Sequence, residues 1–219
     1  MRAFWSAQDL LLWIGLAFPS LFLGAMLTRY FPWTQAPKQM AAMFLAYFVW
    51  FVALKLIFLV KYSEPFWRSL AWVMPDKGLW LCLGSGPVLA IGLNLLAGFL
   101  KAQPVKPPFE DLLFDRRWRF AFGIAAVLAG PLCEELAFRG FLLPLLSKWL
   151  GLAAGILLTG AAFAAAHGPQ YEWRWQYLLL LAVLGSVFGL VRWRYSSSMS
   201  STVMHSSFNL TVFVAHLYG

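Results

Sequence analysis

The sequence predicts an all-α fold, a polytopic transmembrane helical bundle, from its composition and from recurring apolar runs. Of the 219 residues, 61% are hydrophobic and 12% are charged, and the mean hydropathy is +0.70. A soluble domain is about 45–50% apolar and about 25% charged. Because a membrane-crossing helix needs roughly 20 apolar residues, the chain has room for about seven spans, six to eight at the limits. We therefore expect one integral membrane domain over residues 1–219.

The apolar runs place the spans along the chain. The first, residues 9–28, is too long for the apolar core of a signal peptide and lacks a small-residue cleavage site, so we expect it to be retained. Turn residues such as Pro75-Asp76-Lys77-Gly78 separate the runs that follow. The predicted spans are 9–28, 40–62, 79–100, 118–146, 150–168, 175–192 and 197–217.

The fourth span is too long for a straight crossing. Its 29 residues would reach about 43 Å as an α-helix, against roughly 30 Å of hydrocarbon. We expect tilt, a kink at Pro131 or Pro144, or a partial break near Gly140 to absorb the excess. The seventh span begins in the polar run 196–201, which we expect to face water or protein.

The charges indicate a lipid partner. The net charge of +8 is spread over short loops, and twelve tryptophans suit the membrane interface. Attraction to anionic headgroups explains this distribution better than nucleic-acid binding does. The bilayer is therefore the expected partner, with no nucleic acid, and basic residues weakly favour a cytoplasmic N terminus. Cys82 and Cys133 both lie in apolar spans and imply no disulfide.

Two adjacent carboxylates, Glu134 and Glu135, lie in the fourth span. Ionisable groups at membrane depth are costly and point to function. Glu135 and Arg139 have the i, i+4 spacing of an ion pair. Glu134 points about 100° away around the helix, has no partner in its own segment and is a candidate general base. The alternative is that both carboxylates only join neighbouring helices through hydrogen bonds.

Two later spans carry histidines that could reach the same layer. His167 ends a span rich in Gly and Ala, which lets helices approach closely. His205 and Asn209 lie one turn apart on one face and could donate hydrogen bonds to an oxyanion. Interhelical hydrogen bonding, worth about 1 kcal/mol or less in a membrane, is the alternative. Counted from the face of the turns near 149 and 195, the depths of Glu134, His167 and His205 are roughly 22, 27 and 15 Å.

Other intramembrane protease chemistries lack their motifs in this sequence. There is no His-Glu-x-x-His of a zinc protease, and no pair of intramembrane aspartates. Ser85 lies in Gly84-Ser85-Gly86 and lacks the Gly-x-Ser-Gly arrangement of serine-type membrane proteases.

Residues 118–217 resemble the CAAX protease and bacteriocin-processing family (CPBP, or Abi) of intramembrane endopeptidases. The family pattern is Glu-Glu-x-x-x-Arg, then Phe-x-x-x-His, then His-x-x-x-Asn or Asp, on successive helices. The matching residues here are Glu134, Glu135, Arg139, Phe163, His167, His205 and Asn209. Residues 1–117 resemble the family only in their hydrophobic spans, and the sequence assigns them no role.

The resemblance implies peptide-bond hydrolysis in the membrane. Glu134 with His167 would activate water, His205 and Asn209 would stabilise the oxyanion, and Glu135 with Arg139 would support the site. The resemblance leaves a zinc and a metal-free glutamate mechanism open, and one Glu and two His could bind zinc. We favour the metal-free mechanism, because a metal-ligating Glu134 would leave no separate base except Glu135, which Arg139 can pair. The expected substrate is a membrane-anchored or lipidated peptide or protein, and the expected location is a bacterial inner membrane. A non-proteolytic immunity or scaffold protein and, less favoured, a proton-coupled transporter remain as alternatives.

Overall fold

The computed structural model describes residues 3–106, 112–113 and 115–218, and within these ranges the chain is helical, with no strand. Its long helices run alternately up and down, as the apolar runs predict. The all-α prediction is confirmed. The helices are α1 (Ala7–Thr28), α2 (Gln35–Leu56, continued as a π-helix over Ile57–Lys61), α3 (Phe66–Ser69), α4 (Leu79–Phe99), α5 (Arg119–Leu150), α6 (Leu152–Ala166), α7 (Trp175–Tyr195) and α8 (Ser198–Tyr218).

Five of the described helices are long and apolar enough to cross a membrane: α1, the extended α2, α4, α5 and α7. Two of the seven predicted spans do not meet that standard. Helix α6 has 15 residues, which reach about 22 Å, so it is shorter than the hydrocarbon layer. Helix α8 has 21 residues but is more polar, because it carries a row of hydroxyl side chains. These side chains face the protein interior.

Contacts between loops define two faces of the bundle. The amine of Lys148 donates to the carbonyl of Ala3, and the backbone N–H of Ser198 donates to the carbonyl of Ala71. These contacts gather the N terminus and the turns near 149 and 195 on one side, which we call the N-terminal face. The Tyr177 hydroxyl donates to the carbonyl of Gln103 at the other end of the bundle, on what we call the opposite face.

Helix α5 accommodates its length by changing its helical type rather than by breaking. Two π-helical segments, Ala125–Ala129 and Leu136–Leu142, enclose the short α-helical stretch Gly130–Glu135. Pro131 and Pro144 each lie at the start of the α-helical stretch that follows a π segment. Near Gly140, where a partial break was one expectation, the chain stays helical. Single π turns inside α-helices are frequent at functional sites.

Small residues bring α6 and α7 into close contact. A Cβ added to Gly185 would lie 2.9 Å from the Cα of Gly160, so only glycine permits this approach. The polar start of α8 is also enclosed, with Ser197, Ser198 and Ser201 wholly buried. Of the two environments expected for this run, water or protein, the structure shows protein around these three serines. These contacts draw α6, α7 and α8 together around the carboxylates of α5.

Candidate active site

The side chain of Glu134 lies where three other helices meet α5. Its Oε1 accepts a hydrogen bond of 2.6 Å from the hydroxyl of Tyr47 on α2. Its Oε2 lies 4.0 Å from Nε2 of His167 and 3.9 Å from Nε2 of His205. The three residues that the sequence assigned to one membrane layer are thus brought together. Both imidazoles face the same carboxylate oxygen.

His167 caps the C-terminal end of α6, and its ring is held by its own helix. Its Nδ1 lies 2.8 Å from the carbonyl oxygen of Phe163. A carbonyl only accepts, so Nδ1 carries the proton, and the Nε2 of the neutral ring presents a lone pair. The rings of Phe163 and His167 also touch, with centroids 4.4 Å apart. His167 therefore holds an acceptor nitrogen, Nε2, in a fixed orientation near Oε2 of Glu134.

His205 is held between α5 and α7. Its Nδ1 lies 3.1 Å from Oε1 of Glu135, which orients Nε2 toward Glu134. Its ring stacks on Phe188, with centroids 4.5 Å apart and an interplanar angle of 25°, and it meets the edge of Phe163 at 5.8 Å. The carboxylate at Nδ1 is a partner for the doubly protonated ring. His205 can therefore serve as a hydrogen-bond donor through Nε2 when it is charged.

Glu135 and Arg139 form the buried ion pair that their spacing predicts. Arg139 Nη1 lies 2.9 Å from Glu135 Oε1, and neither side chain is exposed. Arg139 Nη2 donates to the carbonyl of Gly185 on α7 at 2.8 Å. The guanidinium also lies over the rings of Phe163 and Phe188, at 4.8 and 5.3 Å from their centroids. Cation–π contacts of this kind gain strength when they are desolvated. The pair therefore links α5, α6, α7 and, through Glu135, His205.

Asn209 joins α8 to the first π segment of α5. Its Nδ2 donates to the carbonyl of Ala126 at 2.8 Å, which is the interhelical bond that the sequence left as an alternative. The amide nitrogen has a second hydrogen. The side chain also lines the cavity that contains Glu134 and His205. One amide hydrogen therefore ties two helices together, while the side chain lies at the wall of the cavity.

Two cavities meet at Glu134. The larger, about 320 Å³, extends along α8 past Asn209 to Phe213 and His216. The second, about 270 Å³, extends along α2 from Tyr47 to Gln39. The residues that line both are Met43, Tyr47, Phe122, Glu134, His167 and Gln170. The carboxylate is thus reachable from two sides of the site.

Three contacts of the site were not anticipated from the sequence: Tyr47, Gly185 and Phe188. Tyr47 is one of seven tyrosines in a chain that is 18% aromatic, and no motif surrounds it. Phe188 and Gly185 lie in an apolar span where both residue types are ordinary. Only the small residues of α6 gave a signal, because they let a neighbouring helix approach closely.

The ligand types at the site suit zinc, but the distances between the ligand atoms do not. A carboxylate and two imidazole nitrogens are suitable ligands. Ligand atoms around tetrahedral zinc lie about 3.3 Å from one another, given bond lengths of about 2.0–2.2 Å. The separations from Glu134 Oε2 are 4.0 and 3.9 Å, and the described residues contain no group of three His, Cys, Asp or Glu side chains placed to hold a metal ion. The arrangement as it stands does not fit zinc.

Comparison with known proteins identifies the segment that carries the site. Residues 116–211 match the family model for the type II CAAX prenyl endopeptidase Rce1-like proteins. The matched segment covers α5 to α8 up to residue 211 and includes all seven motif residues from Glu134 to Asn209. Neither the curated proteins nor the solved structures give a match. With five apolar helices that could span a membrane, the match supports an integral membrane protease of the CAAX type in general. Over this segment, which is 96 of the 219 residues, the chain is similar to the Rce1-like type II CAAX prenyl endopeptidases.

Proposed function

We propose that this protein is an intramembrane endopeptidase that hydrolyses a peptide bond in a membrane-anchored or lipidated peptide or protein. One observation carries the proposal: Nε2 of His167 and Nε2 of His205 both face Oε2 of Glu134, at 4.0 and 3.9 Å. These distances exceed a direct hydrogen bond. A water molecule or a substrate oxygen between the three atoms would lie within reach of all of them.

The first chemical step is attack by water on the scissile carbonyl carbon. Glu134 Oε2 accepts one proton of the water, and Nε2 of His167 accepts a hydrogen bond from its other O–H. The water oxygen forms the new bond to carbon, and the carbonyl π electrons move to oxygen. Two acceptors placed on one side of the water orient its lone pair toward the substrate.

The negative oxygen formed in that step requires donors. His205, protonated at Nε2 and paired with Glu135 at Nδ1, supplies one hydrogen bond. The second amide hydrogen of Asn209 supplies another. When the tetrahedral intermediate collapses, the proton held by Glu134 passes to the departing nitrogen and the C–N bond breaks. The products are a carboxylic acid and an amine, and Glu134 returns to its ionised form.

The positions of the two carboxylates favour a metal-free mechanism. Glu135 is wholly buried and engaged by Arg139 and His205, so it has no access to a substrate. If Glu134 were a zinc ligand, the site would lack a separate base. We therefore propose that Glu134 acts as the base without a metal.

The cavities and the family description guide the choice of substrate. Family members are described as prenyl endopeptidases of the CAAX type, and the cavity along α2 is lined largely by apolar residues, among them Met40, Met43 and Trp50. A lipidated or membrane-anchored segment would find an apolar environment there. We propose a bacterial inner membrane as the location.

The test uses the purified protein in nanodiscs with two reporter peptides, one farnesylated CAAX peptide and one carrying a transmembrane anchor. Wild type, Glu134→Gln and a zinc-chelated wild type are compared. Cleavage that is lost in Glu134→Gln and unaffected by the chelator supports the proposal. Cleavage that the chelator abolishes and zinc restores would replace the metal-free mechanism with a metal-dependent one. Equal cleavage by wild type and Glu134→Gln would remove Glu134 from the mechanism.

A further inference from the structure

Tyr47 contributes to the site from outside the segment that defines the family. It lies in α2, whereas the family match begins at residue 116. Its hydroxyl donates a 2.6 Å hydrogen bond to Glu134 Oε1, which is the shortest contact that the described structure gives to that carboxylate. Hydrogen bonds to an ionised acceptor are roughly twice as strong as those between neutral groups.

The position of the Tyr47 hydroxyl is set by tight packing of α2 against α5. Gly130 lies one turn before Glu134, and a Cβ built there would be 3.3 Å from the Tyr47 hydroxyl oxygen. The Tyr47 ring meets Trp50 edge-on, with centroids 5.9 Å apart. The phenol is therefore fixed by neighbours on both helices.

The hydrogen bond determines how the Glu134 carboxylate is turned. With Oε1 held by Tyr47, Oε2 is the oxygen left to face the imidazoles of His167 and His205. A carboxylate is free to rotate about its last torsion, for which the rotamer wells are broad. A donor on one oxygen restricts this rotation. Besides these groups, Cys133, Glu135 and Arg139 are the nearest titratable or charged neighbours on its own helix.

We propose that Tyr47 is a positioning residue for the catalytic carboxylate, so that the N-terminal half of the chain completes the active site. The inference rests on the proposed function, because it assigns Tyr47 a role through Glu134. Tyr47 also lines both cavities, and it stands where they join. Its hydroxyl fixes the orientation of the Glu134 carboxylate, while the ring forms part of the wall of both cavities.

The test compares Tyr47→Phe with Tyr177→Phe in the peptide-cleavage assay. Both changes remove one phenol hydroxyl, but that of Tyr177 donates to the Gln103 carbonyl near the opposite face. We expect Tyr47→Phe to lower kcat by up to about a hundredfold with little change in KM. The rate falls because the Glu134 carboxylate loses the donor that restricts its rotation, whereas the ring that lines the cavities is retained. Tyr177→Phe should behave like wild type.

A second readout does not depend on having the right substrate. Infrared spectra of the protein in nanodiscs contain carboxyl bands of Glu134 that Glu134→Gln lacks. In Tyr47→Phe these bands should shift in frequency, because the hydrogen bond to Oε1 is lost. Unchanged kcat together with unchanged bands would overturn the role of Tyr47 and leave the proposed function intact. Wild type that cleaves no better than Glu134→Gln would count against the proposed function, and the infrared comparison would still decide the role of Tyr47.

Discussion

Glu134 and Glu135 are adjacent in the chain, yet their carboxylates face different surroundings. Glu135 is wholly buried between Arg139 and His205, whereas Glu134 lines both cavities and is held by Tyr47. Successive residues of a helix point about 100° apart, and this rotation places one carboxylate in the packed interior and the other at the cavity. The same chemical group can thus have a supporting role at one position and a reactive role at the next.

Glu135→Gln should destabilise the protein and also lower the rate of peptide cleavage. The change leaves Arg139 charged and buried without its counter-ion, and breaking a buried pair by removing one partner costs about 3–5 kcal/mol. It also removes the carboxylate at His205 Nδ1, so cleavage should fall. Thermal unfolding in nanodiscs and the cleavage rate measure the two effects.

A surface pair provides the control for Glu135→Gln. Glu172 pairs with Arg174 at 2.7 Å, and both side chains are solvent-accessible. Exposed pairs contribute about 0–1 kcal/mol, so Glu172→Gln should leave unfolding and cleavage nearly unchanged. If Glu135→Gln unfolded no more easily than Glu172→Gln, the buried pair would not be a stabilising element.

Asn209→Ala tests whether Asn209 donates a hydrogen bond to the oxyanion or only links α8 to α5 through its bond to Ala126. If the second amide hydrogen stabilises the oxyanion, the cleavage rate should fall by about 10²–10³. Loss of the bond to Ala126 alone should lower stability by about 1 kcal/mol or less and change the rate little. Asn94→Ala is the matched control, because that amide is exposed on α4. A normal rate in a mildly destabilised Asn209→Ala would assign Asn209 to packing.

Particular residues show which parts of the site could be predicted from the sequence. Helical geometry predicted the ion pair of Glu135 and Arg139 from their spacing. The family pattern predicted that Glu134, His167 and His205 belong to one site from their order along the chain. The role of Tyr47 could not be predicted, because its contact with Glu134 depends on how α2 packs against α5, and the two residues are 87 positions apart in the chain. The π segments beside Glu134 could not be predicted either, since tilt, a kink or a register change can each absorb the excess length of the fourth span.

The length of α6 is a further example. Its small residues predicted close packing with a neighbour, and Gly160 does meet Gly185. The predicted span 150–168 nevertheless became a 15-residue helix, because His167 leaves the helix as its cap and Pro169 follows in a 3-10 turn. This early end places the imidazole beside Glu134.

Phe188→Leu should weaken the site without altering its polar groups. Phe188 is wholly buried, stacks on His205 and lies under Arg139. Loss of these ring contacts should lower the free energy of unfolding by about 1–2 kcal/mol and lower kcat, since His205 loses one of its supports. Phe99→Leu is the control, because Phe99 is 83% exposed on α4. Equal activity and stability in the two variants would show that the stacking contributes nothing.

Gly185→Ala should disturb the site through the backbone. An added Cβ would lie 2.9 Å from the Cα of Gly160 and 3.2 Å from Arg139 Nη2. Backbone cannot give way as a flexible side chain does, so α6 and α7 should move apart at a cost of about 1–3 kcal/mol, and the hydrogen bond from Arg139 to the Gly185 carbonyl should lengthen. We expect lower thermal stability and slower cleavage.

Gly92→Ala is the matched control for that change. A Cβ at Gly92 would meet nothing within 4 Å, and alanine in a helix interior is favoured over glycine by about 0.5–1 kcal/mol. This variant should be as stable as wild type or slightly more so, with normal cleavage. Because the two substitutions add the same methyl group to helical glycines, a difference between them isolates the contact between α6 and α7. If both variants behaved alike, close approach of these helices would not be what holds Arg139, and through it Glu135 and His205, in place.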